Sequence, residues 1–156
     1  MTVSVSVAHD VPIPDGLDEA ALRSLVAHAL RREGATGDWE INLLFTSDGA
    51  IQAMHLEFMG LDSPTDIMTF PFHEGEGFPA GAGTGGDIVI SVETAREHAE
   101  HTGWEELREL QFLVLHGVLH LLGWDDGTSD QRATMLTRQR ALLDEWTDMT
   151  GGGSSR

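Results

Sequence analysis

Two histidines, His116 and His120, stand four residues apart in the segment HGVLHLLGWDD; Gly123 follows three residues after the second, and Asp125 and Asp126 follow the glycine. Residues at i and i+4 share one face of a helix, so both imidazoles point the same way and their ring nitrogens can converge on one ion at about 2.0–2.1 Å. A glycine is well suited to end a helix and reverse the chain, and the reversal can bring Asp125 or Asp126 toward the same point. The pattern H-x3-H-x2-G-x2-D therefore offers two ligands from a helix and a third from the turn. It leaves a fourth position open for water, as catalytic zinc requires. The competing reading is a pair of core histidines satisfied by hydrogen bonds; two of them at this spacing in one apolar helix favour the metal. A third possibility, the H-E-x-x-H arrangement of metalloproteases, needs a Glu general base after the first histidine, and Gly117 stands there instead. Gly117 costs about 1 kcal/mol relative to Ala in a helix interior, so something approaches the backbone closely at that point, a ligand or a tightly packed neighbour.

The elements that must position these residues follow from periodicity. TVSVSVA alternates with period two and reads as a strand. Leu17 to Glu33 has helical apolar spacing, with Asp15 or Asp18 as its cap and Gly34 as its stop. WEINLLFT is a second strand, and Ser47 or Asp48 caps a short helix from Gly49 to Phe58. IMTFPF is a third strand, placed by Pro71 at a sheet edge or at a strand end. HEGEGFPAGAGTGG is Gly-rich and expected to be mobile, and DIVIS is a fourth strand. Ser91 caps a helix running to His101; Gly103 ends it. His98 and His101, with Glu97, belong to its charged face and read as solvated. Trp104 to Leu122 is the longest apolar helical segment, and its second half, LQFLVLHGVLHLL, is apolar nearly all round, hence central. The last helix runs from Ser129 to Trp146, turning Met135, Leu136, Leu142 and Leu143 inward. We expect a single-domain α+β fold over residues 1–148, with a mixed sheet of four or five strands, about five helices and a flexible Gly/Ser tail at 149–156.

Composition narrows the chemistry. With 156 residues and 40% hydrophobic content the chain can bury one sizeable core. It has no cysteine, so a metal must be held by His, Asp or Glu. No apolar run reaches the roughly 18 residues of a membrane span, and the N-terminus lacks the basic and apolar regions of a secretory signal, so the cytoplasm is the expected compartment. Nine basic residues, all Arg, face 26 acids, for a net charge of -17. Such a surface repels phosphate backbones, whose binding rests on basic side chains releasing counterions. Weak binding to naked nucleic acid is expected, with no DNA partner, unless a local basic cleft exists.

HGVLHLLGWDD resembles the signature of the YbeY family of bacterial endoribonucleases, H-G-x-L-H-L-x-G-Y/W-D-H, departing from it at the last position. DSPTDIMTFPF (residues 62–72) resembles the family segment D-x-P-T-D-V-L-S-F-P, and GDIVIS (residues 86–91) matches a third segment in family order. The resemblance implies an α+β fold with one zinc at the base of a cleft and cleavage of single-stranded RNA. It also implies work on 16S rRNA 3′-end maturation and ribosome quality control, with rRNA and the small subunit or its proteins as partners. The family's third histidine ligand falls on Asp126, which changes the site from neutral to anionic and would make bound water less acidic. The residue after Phe58, often Arg in the family, is Met59, which removes a cation from the cleft. We therefore expect His116, His120 and Asp126 to hold the metal, Asp66 and Asp125 to be the candidates for a general base, and a segment around Thr65 and Asp66 to run along the cleft wall. A non-catalytic zinc-containing assembly factor is the main rival; a zinc metalloprotease is disfavoured by Gly117.

Overall fold

The computed structural model describes residues 1–63, 65–72 and 83–151. The chain runs β1 (Thr2–His9), α1 (Glu19–Arg32), β2 (Asp38–Thr46), α2 (Asp48–Met59), β3 (Ile67–Pro71), β4 (Thr84–Ser91), α3 (Val92–Thr102), α4 (Glu106–Leu121), α5 (Ser129–Met149). The four strands form one mixed sheet in the order β1-β2-β4-β3. β1 and β2 are parallel, as are β2 and β4, while β3 lies antiparallel on the outer edge of β4. The expected α+β class with five helices is thus observed, and no fifth strand is present among the described residues. Pro71 closes the edge strand β3, where a missing ladder donor is tolerated.

Alternation along the strands sets two layers. Trp39, Ile41, Leu43 and Phe45 of β2 and Ile88 and Ile90 of β4 face the main core, which they share with residues of α1, α4 and α5. Leu44 and Val89 face the other way and meet Ile51 of α2 and Met68 of β3 in a smaller cluster. α4 lies deepest: Leu110, Val114, Leu115, Val118 and Leu119 are fully buried. Gly117 is what lets it lie so close to the sheet. A Cβ there would come within 2.8 Å of two carbons of Ile88, so the glycine is explained by helix-on-strand packing.

The helix ends follow local chemistry. Asp18 caps α1 through the Ala21 amide, Ser47 caps α2 and Ser91 caps α3. α5 opens with a full capping box, Thr128 and Gln131 bonding each other's backbone N–H. α4 begins at Glu106, two residues later than its apolar pattern suggests, and Trp104 packs edge-on against Phe112 ahead of the first turn. α5 continues three residues past Trp146, its end tied by Thr150 to the Trp146 carbonyl. The Gly-rich segment expected to be mobile falls largely within residues 73–82 and the tail within 152–156, both outside the described residues. None of the described helices is long and apolar enough to cross a membrane.

Candidate metal centre

The site is built by the end of α4. Leu121 is its last residue and Leu122 its C-cap, and Gly123 follows at φ +98°, a conformation an L side chain rarely adopts. The Gly123 amide bonds the His120 carbonyl at 3.0 Å, and the Trp124 amide bonds the Leu119 carbonyl at 3.0 Å. These are the two bonds of a Schellman motif, and they turn the chain back along the helix. Reversal places the Trp124 carbonyl 3.0 Å from Nδ1 of His120 and carries Asp126 to both histidines. The turn is anchored from outside: the Trp124 indole N–H donates to Glu33 at 2.8 Å, and Arg138 of α5 holds the other Glu33 oxygen at 2.6 Å.

Hydrogen bonds fix which nitrogen of each imidazole faces inward. The Gln139 amide nitrogen donates to the Phe112 carbonyl at 2.8 Å, so its oxygen must be the atom 3.1 Å from Nδ1 of His116. Nδ1 of His116 therefore carries a hydrogen and donates it. Nδ1 of His120 faces a carbonyl oxygen and must donate as well. In neutral imidazoles that leaves a lone pair on each Nε2. The two Nε2 atoms are 3.1 Å apart, and Oδ2 of Asp126 is 3.3 Å from each. Three electron-pair donors thus point at one another with no hydrogen between them, an arrangement a cation relieves. Ligands about 2.0–2.1 Å from a tetrahedral ion lie about 3.3 Å from each other, so the separations fit a single ion on one side of the triangle. Among the described residues, His116, His120 and Asp126 form the one such group that could hold a metal ion.

Two hollows meet at the triad. The smaller, about 290 Å³, is walled by His55 and Met59 of α2 and by residues 65–69. The larger, about 890 Å³, opens between α4 and α5 past Trp104, Arg132 and Arg140. His116, Asp126 and Asp66 border both. Asp66 is thus brought to the junction; its backbone carbonyl accepts from the Ser91 amide at 2.9 Å, while Thr65 bonds the Ile67 carbonyl. Asp125 is not brought there: it is exposed and lines a separate hollow with Asp130 and Thr134. Met59 faces the site side of α2, with its side chain largely exposed. His98 and His101 are exposed, and His98 borders the larger hollow.

Sequence reading missed three contributors. Gln139 is 1% exposed and sits on the core stripe of α5 between Met135 and Leu142; a polar residue at an apolar position was the available signal. His55, whose Nδ1 donates to the Ser63 carbonyl at 2.9 Å, gave none beyond its type. Neither did Glu33, whose partners are 91 and 105 residues away.

An α+β protein carrying at the end of its central helix a His-His-Asp group that could hold a metal ion is the class that fold and site define. The family model described as Endoribonuclease YbeY matches residues 8–147. Curated relatives bearing that name include one from Moorella thermoacetica, 41% identical over 140 residues, covering 86% of this chain and 89% of the relative. Another, from Bacillus subtilis, is 37% identical over 131 residues and covers 80% and 83%. The solution structure of TM1509 from Thermotoga maritima shares the fold, with a TM-score of 0.64 at 23% identity over 96% of this chain and 93% of that one. The chain belongs to the YbeY family of endoribonucleases.

Proposed function

We propose that this protein is a zinc-dependent endoribonuclease that cuts single-stranded RNA, working in the cytoplasm on 16S rRNA 3′-end maturation and ribosome quality control. The observation that supports it most directly is the triangle of Nε2, Nε2 and Oδ2 at 3.1–3.3 Å, set where two hollows meet in a chain of this family. Zinc suits two imidazoles and a carboxylate, and when bound it supplies an activated water and polarises a phosphoryl oxygen. His116 and His120 would hold it through Nε2, each ring kept in its tautomer by Gln139 and by the Trp124 carbonyl. Asp126 is the anionic third ligand. Asp66 borders both hollows and would take a proton from the attacking water.

Protease chemistry loses further ground, because the carbon a Glu at position 117 would need collides with Ile88. A non-catalytic assembly factor, in which the metal only pins the helix end to its turn, is the rival that the test must separate. Purified protein should carry close to one zinc per chain by elemental analysis. It should cleave a single-stranded oligoribonucleotide, lose that activity to a chelator and regain it with zinc. Zinc present without cleavage points to the assembly factor; no bound metal sinks both.

A further inference from the structure

The net charge of -17 hides an uneven distribution. Arg32, Arg96, Arg108 and Arg138 are each engaged by a carboxylate within 3.1 Å. Two arginines on the wall of the larger hollow are not. Arg132 has no ion-pair partner among the described residues, and Arg140 is 3.8 Å from Asp144, whose other oxygen Arg108 already holds at 2.6 Å. Both are exposed, and they stand eight residues apart on α5, about 12 Å along its axis. The Arg140 guanidinium lies 5.1 Å from the centroid of the Trp104 ring, and Arg108 packs on the same ring at 4.3 Å. Stacking on an aromatic face orients a guanidinium while leaving its N–H edge for a phosphate. Trp104 is itself held edge-on by Phe112, with centroids 5.3 Å apart.

The acids of this hollow do not cancel the arginines. Buried Glu109 accepts from the Thr102 hydroxyl, Asp126 belongs to the triad, and Asp66 stands where the two hollows meet; among the described residues none of the three pairs with Arg132 or Arg140. On the opposite side of the triad, the smaller hollow offers Met59 and no arginine. Positive charge therefore reaches the site from α5 rather than from α2.

We infer that the larger hollow is the track of the RNA strand leading from the metal-binding triad, with Arg132 and Arg140 each neutralising a backbone phosphate. This rests on the nuclease reading for its ligand class. Two contacts give a salt dependence for single-stranded nucleic acid of only about -1.4 in log K against log salt, which agrees with weak binding by so acidic a chain.

The test uses the full metal-loaded chain and a fluorescently labelled 2′-O-methyl oligoribonucleotide, chosen to resist cleavage. Anisotropy titrations at several salt concentrations compare wild type with Arg132→Gln, Arg140→Gln and Arg23→Gln. Arg23 is an exposed residue of α1 in a different hollow, so its loss makes the same change in net charge elsewhere. The expected result is that each of the first two variants weakens binding evenly across sequences and makes the slope shallower by about 0.7, and that Arg23→Gln leaves the slope alone. Equal effects of all three variants, an unchanged slope in the α5 variants, or a wild type without salt-dependent binding would each overturn the inference. Cleavage of unmodified RNA is followed in parallel. A wild type that cleaves, alongside α5 variants that bind as it does, removes the track and leaves the nuclease; the expected slopes without cleavage keep the track and remove the nuclease.

Discussion

Asp126 and Asp125 are neighbours with the same functional group, and the fold gives them different work. Asp126 lies 3.3 Å from both imidazoles, whereas Asp125 is exposed in another hollow. Asp126→Ala removes the anionic donor and should weaken zinc binding sharply; Asp126→His restores the family's ligand and should keep the metal. Asp125→Ala should leave zinc affinity near wild type, with stability within about 0.5 kcal/mol, as for surface changes. Gln139→Ala, by contrast, strips His116 of the group that fixes its tautomer and should cost roughly 10–100-fold in affinity. Competition with a chromogenic chelator reads all four; loss of zinc in Asp125→Ala with retention in Asp126→Ala would show that the third ligand is misassigned. The convergence of His116 and His120 with an acid of the turn could be read from the sequence because i, i+4 spacing and a glycine stop are local facts, while the choice of Asp126 over Asp125 followed from the family resemblance. Gln139 could not, since the fold alone decides which residue of α5 meets His116. A single residue also tests the packing of α4. Gly117→Ala gains helix propensity of about 1 kcal/mol but forces a carbon against Ile88, and overpacking costs about 1–3 kcal/mol. We expect net destabilisation in denaturant melts, only partly relieved when Ile88→Val is added, because that change removes Cδ1 but leaves Cγ2 at 2.8 Å from the new carbon.

Elements deliver the ligands, and the element that matters most is the turn after α4. Its Schellman bonds, the Trp124–Glu33 bond and the Glu33–Arg138 pair hold Asp126 in place from three directions. Gly123→Ala should cost about 1–2 kcal/mol, the penalty for a left-handed L residue. It should also weaken zinc binding, because the Trp124 carbonyl and Asp126 both move with that turn; a loss of stability without loss of affinity would mean that the metal site does not depend on the cap. Helix existence and strand order of appearance were readable from period and caps. The contact between Glu33 at the end of α1 and the α4 turn was not, because nothing local records a pairing across 91 residues. A second tie joins α1 to α5: Arg32 first, and then His28, hold the Glu145 carboxyl below its ordinary range. Glu145 is lowered in the folded state, so its contribution is present above the ordinary carboxyl value and is lost as pH falls through the folded one. The melting difference between wild type and Glu145→Gln should accordingly be seen at neutral pH and vanish in acid. A constant difference across that range would remove the linkage.

At the scale of the whole molecule, one quantity acts on folding and on binding in opposite directions. A net charge of -17 on 156 residues destabilises the compact state by self-repulsion, since the unfolded chain spreads the same charges further apart. Added salt shortens the Debye length from about 10 Å at 0.1 M toward about 3 Å at 1 M and screens that repulsion. The surface ion pairs that salt also weakens are few and each is worth about 0–1 kcal/mol. Repulsion should therefore dominate, and Tm should rise as sodium chloride is added at neutral pH. Binding to RNA should fall over the same range, because the two α5 arginines compete with cations for the phosphates. Thermal melts and anisotropy titrations on one preparation give both trends. A Tm that falls with salt would mean that the ion pairs joining α1, α4 and α5 outweigh the repulsion. Arg32–Glu145, Arg138–Glu33 and Arg108–Asp144 would then be the pairs to remove first, and the stability of the turn after α4 would be found to rest on electrostatics.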